Sequence, residues 1–249
     1  MSKTTKKTPL YQNQQMSNRP KTQTNNQIIL CWCDGGSTDG KFTEGVVYAA
    51  LTSKLPIASA MRVQGNQIGR QRQQALDFWY DKTDFDWILW VDSDIVLTED
   101  ALQAVWNAAD PVDRPVVTGT YFISKENEGS LMSPYPAIFN WTDDEYKIAY
   151  VHPLPVNALI KVGSAGFGFV LMHRNAVTAM RRVHGSVPYF NETGVGEQFV
   201  SEDINFFRLM HKAAVPLYSH TGALVKHMKR FALDVNYYKM YWESKHERP

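Results

Sequence analysis

The stretch Trp87-Ile88-Leu89-Trp90-Val91-Asp92-Ser93-Asp94 decides the fold. Five consecutive apolar residues are too few for a helix and read as a strand buried on both faces. The run stops at two aspartates that flank one small residue. Both carboxylates therefore lie at the carboxyl end of the strand, where open α/β sheets bind ligands. Two carboxylates on one turn offer hard oxygen ligands to Mg²⁺ or Mn²⁺; the same residues also suit a plain turn that closes a strand. Asp84-Phe85-Asp86 repeats the spacing but precedes the strand, so its acids are expected in solvated loop.

Working outward, Ile28–Cys33 is a second buried run, closed by Asp34-Gly35-Gly36. A helical pattern follows from Phe42 to Leu51, then a short strand from Ile57 to Val63. Ile68, Ala75, Leu76 and Trp79 share one face of a further helix, with Arg70, Arg72, Gln73 and Asp77 around it. On the other side of the deciding stretch, Thr98 before Glu99 and Asp100 is a helix start, and that helix runs to Pro111. Strands are expected over Pro115–Phe122, Ala137–Phe139, Tyr146–Val151, Leu159–Val162 and Phe167–Met172, with loop from Gly129 to Tyr135. A helix from Ala176 to Val183 leads to a loop over 185–200. Ser201 then caps a helix carrying Ile204, Phe207 and Met210. Leu217-Tyr218 and Ala223–Val225 read as separate short strands, and Asp234 to Trp242 as a terminal helix. Strand–helix alternation in the first half and mixed strands in the second predict an α/β/α sandwich. Its central sheet is mostly parallel, with a smaller antiparallel extension.

The chain has 249 residues, 44% hydrophobic, enough for a sizeable core. Net charge is +1, which excludes a global field for nucleic acid. Residues 1–26 hold Lys3, Lys6, Lys7, Arg19 and Lys21 and no acid, leaving a net of −4 for the rest. This Gln-, Asn- and Thr-rich stretch has little to bury and reads as a disordered tail. No run of 18 apolar residues occurs, and the first residues lack the apolar core of a signal peptide. The two cysteines, Cys31 and Cys33, fall on one face of a strand in poor disulfide geometry and read as core thiols. A cytoplasmic location is expected, in which the sequons at Asn140 and Asn191 carry no meaning.

Far along the chain, His227 follows the short strand Ala223–Val225 among Lys226, Lys229 and Arg230. An imidazole completes a metal shell, and the cations around it suit a diphosphate. Alone, such a histidine is more often a surface residue.

Together these features resemble GT-A fold glycosyltransferases, in particular small stand-alone members similar to family 2. The resemblance spans Ile28 to Phe231. It rests on Cys33-Asp34-Gly35-Gly36, on Asn66-Gln67-Ile68-Gly69-Arg70-Gln71-Arg72, and on Trp90-Val91-Asp92-Ser93-Asp94-Ile95. It continues with Gly163-Ser164-Ala165-Gly166-Phe167-Gly168-Phe169, with Ser201-Glu202-Asp203, and with Val225-Lys226-His227. Two departures stand out: the first strand lacks the Pro-Thr-Tyr-Asn ending of family 2, and no Gln-x-x-Arg-Trp marks a processive polymer synthase.

The resemblance implies one GT-A domain over 27–249, with a nucleotide half at 27–122 and an acceptor half with its terminal helix at 123–249. It implies a metal-dependent, inverting, non-processive transfer from a UDP- or GDP-sugar to a hydroxyl on a glycan, lipid-linked or protein acceptor. Asp94 and His227 would hold Mn²⁺ or Mg²⁺, and Asp92 would join them or contact ribose or a metal-bound water. Asp203 would be the general base, with Glu202 as substitute. The donor would meet Cys33, Asp34, Asn66, Arg70, Ser93, Lys226 and Arg230, and also Gly166 and Phe167, the glycine allowing close backbone approach. Tyr121 and Trp141 are weaker candidates for stacking on sugar rings. Three rivals remain. A sugar-phosphate nucleotidyltransferase would need a basic Gly-rich loop where Asp34–Asp39 is acidic. A degenerate carbohydrate-binding protein would lack the intact acids. A metal-dependent phosphohydrolase would release phosphate from simple esters.

Overall fold

The structure is a computed structural model and describes residues 25–124, 134–143, 147–195, 198–229 and 235–246. The first half alternates as the apolar runs require: β1 (Ile28–Asp34), α1 (Gly40–Thr52), β2 (Ile57–Gln64), α2 (Ile68–Lys82) and β3 (Trp87–Val91). A two-residue β4 (Ile95–Val96) then precedes α3 (Glu99–Ala108). Thr98 caps α3 by accepting the amide of Ala101 at 3.3 Å. The second half is strand-rich: β5 (Val116–Thr120), β6 (Phe122–Ser124), β7 (Pro134–Pro136), β8 (Ile138–Trp141), β9 (Ile148–Tyr150), β10 (Leu159–Val162), β11 (Ser164–Ala165) and β12 (Phe169–His173). After α4 (Arg174–His184) come the hairpin β13 (Thr193–Val195) and β14 (Gln198–Val200), then α5 (Glu202–Lys212). The chain continues through β15 (Leu217–Leu224), β16 (Lys226–His227) and α6 (Val235–His246).

Seven strands form the central sheet in the order β10-β15-β5-β12-β3-β1-β2. β1 is parallel to both β2 and β3, and β15 is parallel to β5; only β12 and β10 run against their neighbours. The mostly parallel sheet is thus as expected. β8, β9 and β11 supply a small antiparallel extension.

Burial follows strand alternation. Along β3, Ile88 and Trp90 join the core beneath α2, α4 and α5, while Trp87, Leu89 and Val91 join the one beneath α1 and α3. Every β3 side chain is buried, which is why the segment shows no polar alternation.

Local expectations change at several places, the hairpin β13–β14 forming within the expected loop 185–200 and β7 beginning within the expected loop Gly129–Tyr135. Leu217–Leu224 is one strand, not two, because β5 pairs with it at Tyr218, Ser219 and again at Leu224. Asp86 is no solvated loop acid: it is 5% exposed and accepts the Asn26 amide at 2.8 Å. Ser201 precedes α5 without capping it through its side chain; its hydroxyl instead donates to Asp203 at 2.5 Å. Cys31 and Cys33 are free, buried thiols, and burial, with Cys33 alongside, pushes the Cys31 thiol up. Among the described residues no helix is long and apolar enough to cross a membrane.

Candidate functional site

The site forms where β1, β3 and β5 end. Beyond β3 the chain turns sharply. The Ile95 amide donates to the Asp92 carbonyl at 3.0 Å, and the Asp92 amide to the Gly168 carbonyl at 3.0 Å. This leaves Asp92, Ser93 and Asp94 half-buried on the rim. The late histidine reaches the same turn because β16 pairs antiparallel with β4, setting His227 opposite Ile95. The Met228 amide locks the register by donating to the Asp94 carbonyl at 2.8 Å. Residues 133 positions apart therefore meet: His227 Nε2 lies 3.1 Å from Asp94 Oδ2, and Lys229 Nζ 3.8 Å from the same oxygen.

The other ring nitrogen decides what this contact means. His227 Nδ1 is 3.0 Å from the Phe122 carbonyl, and a carbonyl only accepts, so Nδ1 carries a proton. In the neutral ring Nε2 is then a lone pair facing a carboxylate oxygen, a repulsive arrangement unless a cation lies between them. That cation is a proton, making imidazolium, or a metal ion. A backbone carbonyl on the distal nitrogen is the usual orienting partner of a metal-binding histidine. Burial works against ionisation of Asp94, but His227 and Lys229 outweigh it and hold the carboxyl below its ordinary range.

Asp92 faces elsewhere. Both its oxygens accept from Arg72 Nη2, at 2.8 and 3.0 Å. The other arm of that guanidinium, Nη1, donates to Glu202 Oε1 at 2.7 Å. Among the described residues no group of three His, Cys, Asp or Glu side chains is placed to hold a metal. Asp94 and His227 form a pair, which suits a cation that takes its remaining ligands from phosphate and water.

Glu202 and Asp203 open α5, in the first turn where the helix dipole favours carboxylates. Burial raises the Glu202 carboxyl, Arg72 opposing it. Asp203 Oδ1 accepts both the Ser201 hydroxyl and the Ile204 amide at 2.7 Å. Among the described residues no hydrogen bond reaches its Oδ2, and the two bonds to Oδ1 fix the orientation of the carboxylate.

The remaining donor-side candidates divide. Asn66 and Arg70 are exposed at the start of α2, and Lys226 is exposed on β16. Arg230 lies outside the described residues. Asp34 is saturated. It accepts from Arg62 through Nε at 2.5 Å and Nη2 at 2.7 Å, from the Gly36 amide at 2.7 Å, and from Trp32 Nε1 at 3.1 Å. The Arg62 bonds lower its pKa against the effect of burial. With four donors on two oxygens, its carboxylate shapes the loop rather than offering a free acceptor.

The side chains of Cys33 and Phe167 are buried in the core under α2, α4 and α5, leaving only their backbone toward the rim, and the Phe167 ring packs against Trp90, Phe190, Phe206 and Phe207. The reason for glycine at 166 also changes. A Cβ there would lie 2.0 Å from the Tyr121 hydroxyl, and one at Gly168 2.8 Å from the Tyr121 ring. Tyr121 is itself buried, accepts the Gly168 amide at 3.2 Å, and sets its ring edge-on to His227 at 5.1 Å. It braces the site from below instead of stacking on a sugar. Burial, with Asp92 and Asp203 near, pushes its phenol well above the usual range.

Arg72 is the residue that sequence reasoning missed. The signal was present: positions 72, 75, 76 and 79 follow the spacing of a buried helical stripe, and Ala75, Leu76 and Trp79 are fully buried. An arginine in such a stripe needs buried anionic partners.

No protein-family model matches the sequence, and no curated protein sequence matches it either. Solved structures do match in shape. The protein A197 from STIV is 17% identical, with 82% of this chain and 86% of that one covered and a TM-score of 0.51. GalNAc-T7, solved with UDP, GalNAc and Mn²⁺, is 8% identical with a TM-score of 0.54; the match covers 82% of this chain and 43% of that one. At such identities the likeness establishes the fold, and the fold is GT-A.

Proposed function

We propose that this GT-A chain is a metal-dependent glycosyltransferase that moves a sugar from a nucleotide diphosphate, UDP- or GDP-linked, to an acceptor hydroxyl. The observation that carries the reading is the His227 imidazole, proton-bearing at Nδ1 and directed through Nε2 at Asp94 on the carboxyl rim of the sheet. This donor set fits a small divalent ion, Mn²⁺ or Mg²⁺. Once held there, such an ion would neutralise charge on the donor's two phosphates.

The chain's own residues carry the other tasks. Asp203 accepts the acceptor's hydroxyl proton at Oδ2 while Oδ1 stays anchored to Ser201 and Ile204. The acceptor oxygen bonds to the anomeric carbon as the bond to the β-phosphate oxygen breaks, and the electron pair leaves with the nucleotide diphosphate. One base and one in-line displacement imply inversion. Lys226 and Lys229, flanking His227, add positive charge for the departing diphosphate. Asn66 and Arg70, exposed at the start of α2, and Ser93, half-buried beyond β3, would meet the nucleotide.

A thermal-shift screen of UDP-, GDP- and CMP-sugars, with and without Mn²⁺, tests the reading. One donor should raise the melting temperature only with the ion present, and Asp94→Ala should abolish that shift with the fold intact. A shift that is metal-independent and survives Asp94→Ala, or no shift with any donor, refutes it.

A further inference from the structure

We infer that Arg72 is a positioning residue that couples the two halves of the site by holding Asp92 and Glu202 on a single guanidinium. The inference rests on the transferase reading above. Its anchors come from segments with separate tasks: Asp92 follows β3 on the donor side, and Glu202 begins α5 on the acceptor side. They stand 20 and 130 residues from Arg72 in the chain, yet each accepts from a different arm of the same fork. A third carboxylate, Asp203, is close enough to act on the guanidinium. Fixing Glu202 fixes the first turn of α5, and with it the place of the neighbouring Asp203 Oδ2.

Stability alone does not account for this arrangement. Arg72 occupies a stripe position beside Ala75, Leu76 and Trp79, lies 5.2 Å over the Phe167 ring, and is 5% exposed. An apolar side chain in such a place commonly stabilises a fold as well as a buried ion pair or better. What only the planar fork provides is a set distance between two carboxylates. Lysine, a single point charge, cannot hold both in that geometry.

The test uses the full chain with Mn²⁺ and whichever donor the thermal-shift screen identifies. Arg72→Lys should fold and keep its donor KM within about threefold, while turnover falls on the order of 100-fold, as expected for reacting groups misplaced by roughly 1 Å. In Arg72→Ala, added methylguanidinium should restore turnover about tenfold or more, and methylammonium should not, because the fork and not the charge is required. Wild-type turnover in Arg72→Lys overturns the inference, as does equal rescue by the two cations. Should Arg72→Ala not fold, the Lys variant decides. If wild type turns over no nucleotide sugar, it is the transferase reading that fails. The coupling is then judged by nuclear magnetic resonance. Glu202→Gln should displace the Asp92 and Asp94 amide signals through the shared guanidinium, and unmoved signals overturn it.

Discussion

Adding one methyl group at Gly166 separates two explanations of that glycine. If the backbone must approach a donor sugar, Gly166→Ala folds normally and fails to bind donor. In the structure, however, the new Cβ lies 2.0 Å from the Tyr121 hydroxyl and 3.0 Å from its Cζ, so Tyr121 must move before any donor arrives. The Gly166 backbone has little freedom to retreat, since its amide donates to the Ala137 carbonyl at 2.9 Å. Tyr121 is equally confined, 6% exposed and bound to the Gly168 amide. Overpacking a core costs about 1–3 kcal/mol, and stranding a buried amide costs a similar amount. The variant should therefore lose about 2–4 kcal/mol, a drop on the order of 10 °C in melting temperature for a chain of this size. Tyr121→Phe removes the clashing oxygen, so the double variant should be more stable than the sum of the single losses by about 1 kcal/mol. Thermal and urea unfolding of the four proteins measures this. A Gly166→Ala protein as stable as wild type, or strict additivity with Tyr121→Phe, refutes the packing argument.

Two further outcomes follow from named groups. Asp203→Asn should leave donor binding intact and lower turnover by about 100- to 10,000-fold, the usual contribution of a general base; near-normal turnover would move the base elsewhere. His173, 4% exposed, accepts the Asn175 amide through Nδ1 at the start of α4, and burial lowers its pKa to about 4. Below about pH 6.5 the unfolded chain takes up a proton that the folded chain refuses until about pH 4. Stability thus falls as pH drops through this window, by up to about 3 kcal/mol, and this contribution is complete below it. His173→Asn keeps a capping side chain without the titration, so its urea midpoint should change less than wild type between pH 7 and pH 4.5; equal changes would exclude His173 as the source.

What the sequence discloses and conceals follows from burial. Trp87–Val91 was legible to the residue because a strand covered on both faces has no polar position to blur its ends. Leu217–Leu224 looked broken because Thr221 and Gly222 interrupt the apolar pattern, while the pairing that joins the two pieces comes from β5, a hundred residues away. The meeting of Asp94 with His227 was foreseen from motif order. The pairing of β16 with β4 that produces it has no local signature, being two residues long. Direction was harder than position. Asp92 sits where expected, but its carboxylate turns to Arg72, a charge hidden in an apolar stripe and read as surface. Cys33 and Phe167 lie within the right motifs but on the core side of their segments, a distinction of one residue in a strand or loop. Gly166 shows the same limit: a close approach was expected, while the approaching group was a tyrosine of the chain itself.

The most direct test is diffraction from crystals soaked with Mn²⁺ and UDP, with data collected to record the manganese anomalous signal. The peak should lie about 2.2 Å from an Asp94 carboxylate oxygen and from His227 Nε2, with His227 Nδ1 still on the Phe122 carbonyl and phosphate oxygens completing the shell. An ion bound away from this pair, or UDP seated with Asp94 and His227 still in direct contact, would contradict it.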